Sequence, residues 1–416
     1  MSGHRTPDSN FNPAGLLKKT LGAAALLLLL GAAFTVLAMQ LGQLAINSSG
    51  MPDFPTFYVA GKILREGQSA RLYDIKLERE IEHEILPGGA PIIYDHPPFH
   101  ALPFALLAEL SYPHAFIVWG GLNLFIFALI LYLLPQTGSR LKGNEFLVWL
   151  AVCIPLVAGV VLLGQDTLFF AVIFILAFLA LKRKREYVAG FVLGLGLFRF
   201  EIMLPFAFIF LLRRRWKVLA GFSIASLAAL LVSLAMVGWQ GLLDYAHLLM
   251  AVGRTTGNEA NGVTVATMPT LRGAASTFLG GLISPHFLFP VVLLGTLALL
   301  GWAAWEFKNV AKPETQAFDL EFSLAVIAAL LASYHMFVHE LTPLFLIGFL
   351  MLAHEASLPR KGILGNRRGT ALLLLFALVY GVGGAVFHFR GFSVIFIVLL
   401  GMLVWLSQEL FVLRKA

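Results

Sequence analysis

Residues 181–217 read LKRKREYVAGFVLGLGLFRFEIMLPFAFIFLLRRRWK, two apolar runs closed at both ends by clusters of lysine and arginine. Basic residues that flank membrane helices stay on the cytosolic face. If both clusters face the cytosol, the runs 187–201 and 202–212 must cross as a pair. The same arithmetic extends outward in both directions. Basic clusters recur at Lys18-Lys19, Arg140/Lys142, Lys308/Lys312, Arg360 to Arg368 and Arg414-Lys415. Between them the apolar runs fall at about 21–46, 113–134, 146–163, 167–181, 187–201, 202–212, 218–237, 286–307, 318–337, 341–353, 370–387 and 392–411. This predicts an all-α polytopic membrane protein of about twelve crossings with both termini in the cytosol.

Composition agrees. The 416 residues are 59% hydrophobic and 13% charged, with a mean hydropathy of +0.83, more apolar surface than one aqueous core can hide. The net charge of +7 would suggest nucleic acid in a soluble protein, but here it is spent on the clusters between spans, so no nucleic-acid partner is expected. The single cysteine, Cys153, excludes an intramolecular disulfide framework and fits a small core residue. Residues 1–20 read as a cytosolic tail and 21–416 as one transmembrane domain with outside loops at 47–112 and 238–285. The first apolar run is too long for a signal-peptide core and reads as an uncleaved anchor. Within the first loop, a helix near Phe57 to Glu66 and an amphipathic one over Ile75 to Leu86 are expected, the second lying on the membrane surface. Pro97 to Leu110, with three prolines, fits an interfacial or half-inserted helix. The loop 238–285 shows no strong period.

With the basic clusters placed inside, the out-of-place polar residues fall at the opposite mouth: Asp53, Tyr94-Asp95-His96, Gln165-Asp166, Arg199, Glu201, His335, His339-Glu340 and His388/Arg390. A charged residue mid-helix costs about 2.5 to 3.5 kcal/mol, so such residues usually line a cavity or polar path. Asp53, boxed by Pro52 and Pro55 among Phe54, Phe57 and Tyr58, is the candidate catalytic carboxylate; a solvated loop acid is the plainer reading. Asp166 reads either as part of that site or as a helix N-cap. Arg199 and Glu201, two apart, do not face each other on a helix, which leaves Arg199 as an anion partner or a snorkelling cation. His335 and His339 share a helix face, yet a third ligand is not evident, so no metal or other cofactor is expected. Nucleotide-binding and serine-hydrolase motifs are absent.

In order, the residues Asp53-Phe54-Pro55-Thr56-Phe57-Tyr58-Val59-Ala60-Gly61, Gly67…Leu72-Tyr73-Asp74, Tyr94…Pro97-Pro98-Phe99, Trp119…Asn123, Gly164-Gln165-Asp166 and a Gly-rich helix before Arg213-Arg214-Arg215-Trp216 resemble glycosyltransferase family 87, the DUF2029 group of GT-C membrane enzymes. The resemblance covers roughly residues 20–350. It implies a GT-C fold in the cell inner membrane and transfer of a hexose, mannose by the family's example, from a polyprenyl-phosphate donor to a lipid or glycan acceptor outside, with inversion. It also implies Asp53 as general base and His339, with His335 as rival, as a second functional residue. Arg199, His335 and His339 would hold the donor phosphate; Phe54, Phe57, Tyr58, Tyr94, Asp95, His96, Gln165 and Asp166 would line the substrate. The aromatics near Asp53 suit a sugar or prenyl chain, or equally an interfacial belt. The family often has Lys-Pro or Lys-x-x-Pro where this chain has Phe198-Arg199-Phe200-Glu201…Pro205, so an acid accompanies the cation. The rival class is a lipid or polysaccharide transporter, which calls for inverted repeats and midplane charges in both halves; neither is found.

Overall fold

A computed structural model describes residues 53–87, 93–254, 265–308, 312–358, 367–381, 388–389 and 392–415. The tail, Lys18-Lys19 and the first apolar run lie outside them, as does Arg390. The chain begins with α1 (Phe54–Arg65), α2 (Ile75–Ile85) and α3 (Leu102–Leu107), and continues with α4 (Tyr112–Leu133), α5 (Gly143–Leu163) and α6 (Thr167–Lys182). Then come α7 (Glu186–Leu195), α8 (Phe200–Leu212), α9 (Trp216–Arg254), α10 (Leu271–Leu279) and α11 (Pro285–Glu306). α12 (Gln316–Ala332), α13 (Leu344–Ser357), α14 (Arg367–Gly381) and α15 (Val394–Lys415) complete the bundle. The only strands among the described residues, β1 (His388–Phe389) and β2 (Phe392–Ser393), pair antiparallel in one short hairpin. The protein is therefore an all-α polytopic membrane protein.

Six described stretches are long and apolar enough to cross a membrane: Tyr112–Thr137, Glu145–Leu163, Glu186–Leu212, Trp216–Val252, His286–Glu306 and Val394–Lys415. Glu186–Leu212 is not one straight rod. Glu186, at its start, pairs with Arg215, just past its end, so α7 and α8 form a hairpin, with the turn of 3-10 helix Gly196–Arg199 at its tip. α9 then runs parallel to α7 with backbones in contact: a Cβ on Gly190 would strike the Val218 carbonyl, and one on Gly221 the Tyr187 carbonyl. Small residues permit this approach. A count of about twelve crossings would require shorter helices such as α6 and α13 to cross as well, and both run between the same two ends of the bundle.

The basic clusters meet at one of those ends. Lys182 lies 2.5 Å from Asp319 and Lys184 3.7 Å from Glu314, Ser139 reaches Asp319, and Arg213 donates to the Lys308 carbonyl. Arg414 pairs with Glu306 and Glu321, and Arg368 with Glu409. Two of the turns here are alike. After α6, Arg185 N donates to Ala180 O at 2.8 Å and Lys184 N to Leu181 O at 2.8 Å; after α8, Arg215 N donates to Phe210 O at 3.0 Å and Arg214 N to Leu211 O at 2.9 Å. This doubled closure puts one residue in the left-handed region, and here Lys184 (φ 58) and Arg214 (φ 53) take the place usually held by glycine.

Three local expectations need revision. The first loop helix starts at Phe54, not Phe57, because Pro55 in the first turn has no N–H to satisfy. The loop 238–285 opens as helix: α9 continues to Arg254 past a break at Gly238 (φ 70), and α10 follows. Pro97–Leu110 is a 3-10 turn, Pro98–Ala101, followed by the six residues of α3. The amphipathic helix falls where expected, capped by Asp74, whose side chain accepts from Lys76 N and Leu77 N.

Candidate active site

At the end opposite the basic clusters, helix ends converge on one guanidinium. Asp53 stands at the N-cap position of α1 without a side-chain capping bond, and its backbone N–H donates to Leu163 O at 2.9 Å. That carbonyl is presented because α5 stops at Gly164, which is left-handed at φ +68. A side chain at Gly164 would bring its Cβ within 2.5 Å of Phe54 Cβ, and Trp119 Nε1 donates to the Gly164 carbonyl at 2.8 Å. Phe54, fully buried, packs its ring 5.4 Å from Phe116 and 6.3 Å from Trp119. The Asp53 turn and the Gly164 turn are thus fastened to each other by backbone and aromatic contacts.

The next residue carries the connection onward. Gln165 donates through Nε2 to Asp53 Oδ2 and accepts through Oε1 from Arg199 Nη2 at 2.8 Å. The same Nη2 lies 2.6 Å from Asp166 Oδ1, while Arg199 Nη1 lies 2.8 Å from Glu340 Oε1. Glu340 in turn accepts the Phe337 N–H at 2.6 Å, which closes the short 3-10 turn Val338–Leu341 that carries His339. On the other side Asp166 Oδ2 is 2.8 Å from His100 Nε2, and His100 Nδ1 is 3.0 Å from Tyr94 OH. Arg199, Asp166, Glu340, Gln165 and His100 are all buried. Buried charges are tolerated when paired and hydrogen-bonded, and each member here has such partners.

Several expected residues therefore come together: Asp53, Gln165, Asp166, Arg199, Tyr94 and, through Glu340, His339. Arg199 gives its two terminal nitrogens to two carboxylates and an amide. Asp166 makes no capping bond to α6; its carboxylate belongs to the network. Phe57 and Tyr58 are buried, Phe57 wedged against the rings of His96 and His100 at 5.2 and 5.3 Å and Tyr58 OH donating to Leu110 O at 2.8 Å. These aromatics, with Phe54, are packing for the Asp53 turn and not an open stacking surface. His335 and His339 are half-buried on the 333–343 segment. Desolvation pushes the His339 imidazole below its ordinary range, against the opposite pull of Glu340 and Asp53.

His100 and Glu340 complete the network, although neither stands out by itself in the sequence. The spacing of His100, four residues past His96, is the one local signal that links it to the Tyr94-Asp95-His96 motif. Glu78 is a further addition. It is buried on α2 and accepts the Tyr94 N–H at 2.6 Å, and burial, against that hydrogen bond and with Glu82 adding to it, raises its carboxyl to about 8.

Fold and site together define a membrane protein with a buried ionic network held at the helix ends of one face. The sequence model of glycosyltransferase family 87 matches residues 94–333, more than half of the chain. The chain belongs to that family and is a membrane glycosyltransferase. The match includes Tyr94, His96, His100, Gln165, Asp166 and Arg199, whereas Asp53, His335, His339 and Glu340 lie outside it. No curated protein and no solved structure matches the chain significantly.

Proposed function

We propose that the enzyme has a GT-C architecture and transfers mannose from a polyprenyl-phosphate donor to a hydroxyl of a lipid or glycan acceptor, with inversion and with Asp53 as general base. The observation that carries this reading is the placement of Asp53: a half-exposed carboxylate at a helix start, aimed by Gln165, which is itself held by the buried Arg199. A base must be fixed within hydrogen-bond reach of the proton it takes, and a tethered carboxylate meets that need. In the step proposed, the acceptor oxygen bonds to C1 as the bond from C1 to the phosphate oxygen breaks; the acceptor proton passes to Asp53, and polyprenyl phosphate leaves with the electron pair. The leaving phosphate needs positive charge or donors but no acid. His335 and His339 stand nearest to that duty, with Arg199 behind them as a fixed charge.

The separation of basic clusters from this network supports a periplasmic or outer-face site, with the clusters and both termini cytosolic in the cell inner membrane. The test is transfer of radiolabelled mannose from synthetic polyprenyl-phosphate-mannose to extracted native lipids, by wild type and Asp53→Asn side by side. Wild-type transfer lost in the variant, at equal yield of folded protein, is the expected result. Full activity in Asp53→Asn overturns the assignment of the base. Wild-type transfer from polyprenyl-phosphate-glucose alone would change the sugar, and transport without transfer would move the chain to the rival class.

A further inference from the structure

The region around Arg199 is rich in acids. Asp53, Asp95, Asp166, Glu201 and Glu340 gather near it, and the guanidinium of Arg272, which acts on His335, lies over the Tyr334 ring at 3.9 Å and donates to the Tyr334 carbonyl. Arg199 itself is already matched by two carboxylates. A site that binds the phosphodiester donor proposed above and releases a phosphate monoester is therefore short of positive charge, because carboxylates repel the same oxygens the enzyme has to bind.

His96, His100 and Asp166 offer a remedy. Each contributes one ligating atom, these atoms all lie within 4.8 Å of one another, and all three residues are buried. His100 Nε2 and Asp166 Oδ2 are 2.8 Å apart, a separation that two ligands of one cation bound at about 2.1 Å can adopt. Their remaining atoms are held as outer-shell contacts hold metal ligands: His100 Nδ1 on Tyr94 OH, and Asp166 Oδ1 on Arg199. His96 supplies the independent observation. Its side chain is about 10% exposed, its ring stacks 4.4 Å from that of His100, and its Nδ1 pairs with Asp95 Oδ1 at 3.1 Å. Its Nε2 has no hydrogen-bond partner. Buried polar groups are seldom left so.

We propose that His96, His100 and Asp166 form a binding site for a divalent first-row transition cation, of the kind that two imidazoles and one carboxylate favour, Zn²⁺ or Mn²⁺. The sequence directed attention to His335 and His339, where a third ligand is missing; the three-ligand group lies elsewhere, assembled from the Tyr94-Asp95-His96 segment, the following 3-10 turn and the Gly164-Gln165-Asp166 turn. Ligation gives His96 a partner beyond Asp95 and adds the positive charge that a leaving phosphate requires. The second of these consequences rests on the donor proposed above; the site itself does not.

The test uses the full-length protein in detergent, dialysed against chelator and then titrated with Mn²⁺ followed by the spin-resonance signal of the free ion, and with Zn²⁺ followed by calorimetry. One equivalent bound per chain is expected, weakened at least about tenfold in His96→Ala, since even the loss of an outer-shell partner costs about 10- to 100-fold. His96→Ala removes a buried ring packed against Phe57 and His100 and should lower the melting temperature, so His96→Phe, which keeps a ring there but cannot ligate, is measured beside it: weakened binding in a variant that melts close to wild type is not a loss of fold. Failure of wild type to bind one equivalent of either cation, or binding unchanged in His96→Ala, overturns the site. Stoichiometric binding by a protein inactive on polyprenyl-phosphate-mannose would keep the site and remove the donor; transfer by a protein that binds neither cation would do the reverse.

Discussion

The two ends of the bundle are both charged, and they are wired differently. At the basic end most ion pairs stand side by side: Lys184 with Glu314, Lys182 with Asp319 and Arg215 with Glu186 share no residue, and the linked groups are short, Arg414 with Glu306 and Glu321, and Glu409 with Arg368 and His354. At the other end the contacts are in series through Arg199, from Asp53 by way of Gln165 at one extreme to Tyr94 and Phe337 at the others. Independent pairs fix the orientation of a chain in the membrane, and each can be lost with little consequence for the rest. A series arrangement makes the position of one carboxylate depend on every link, which is what a reaction centre requires.

The largest effect that would break this contrast concerns Asp53. Asp53→Asn is expected to lower transfer by about 10²- to 10⁴-fold, measured as initial rates at saturating donor, with the unfolding temperature unchanged. Next comes Arg199→Leu, which strands Asp166 and Glu340 in a buried setting. Removing one partner of a buried pair costs about 3 to 5 kcal/mol, so denaturant unfolding in mixed micelles should shift by that order, with activity lost as well. Gln165→Ala should lower kcat by about tenfold, the value of a hydrogen bond of about 1.4 kcal/mol, with KM nearly constant. In the Asp53→Asn background it should do almost nothing further, and additivity would show that the two are not in series.

A smaller effect tests the rim of the network. With its carboxyl raised to about 8, Glu78 holds a proton in the folded protein at pH values where the unfolded chain has lost it. The stability contributed by that proton is fully present below about 4.5, the ordinary value, and is lost as pH rises through about 8. Wild type should lose stability relative to Glu78→Gln between pH 5 and 9, read from melting temperatures across that range. Smallest of all is Lys184→Ala at the basic end. Both partners of that pair are largely exposed, so the change should stay within about 0.5 kcal/mol and add to any variant at the opposite end.

Much of the difference between the ends was legible in the sequence. Lys and Arg clusters announce themselves because a membrane segregates them, and the polar residues stranded between apolar runs stand out for the same reason. The pairing of runs 187–201 and 202–212 follows from the clusters alone, and the Glu186–Arg215 contact agrees with it. What was not legible is which stranded residue meets which. Arg199 and Glu340 are 141 positions apart and Asp53 and Gln165 are 112 apart, and no local period records contacts of that range. For the same reason the sequence does not show which carboxylates Arg199 meets. His96 and His100 flank Pro97-Pro98, and the sequence does not show that the 3-10 turn there stacks their rings.

The tip of the α7–α8 hairpin also sets a depth. Its returning arm has 13 residues, a rise of about 20 Å, while the hydrocarbon layer is about 30 Å thick. With the orientation and site proposed above, and the basic end at one edge of that layer, the guanidinium at the tip stops about 10 Å short of the other edge. The proposed centre is then a sunken well whose floor is set by the length of a short helix, and one added helical turn would lift that floor by about 5 Å.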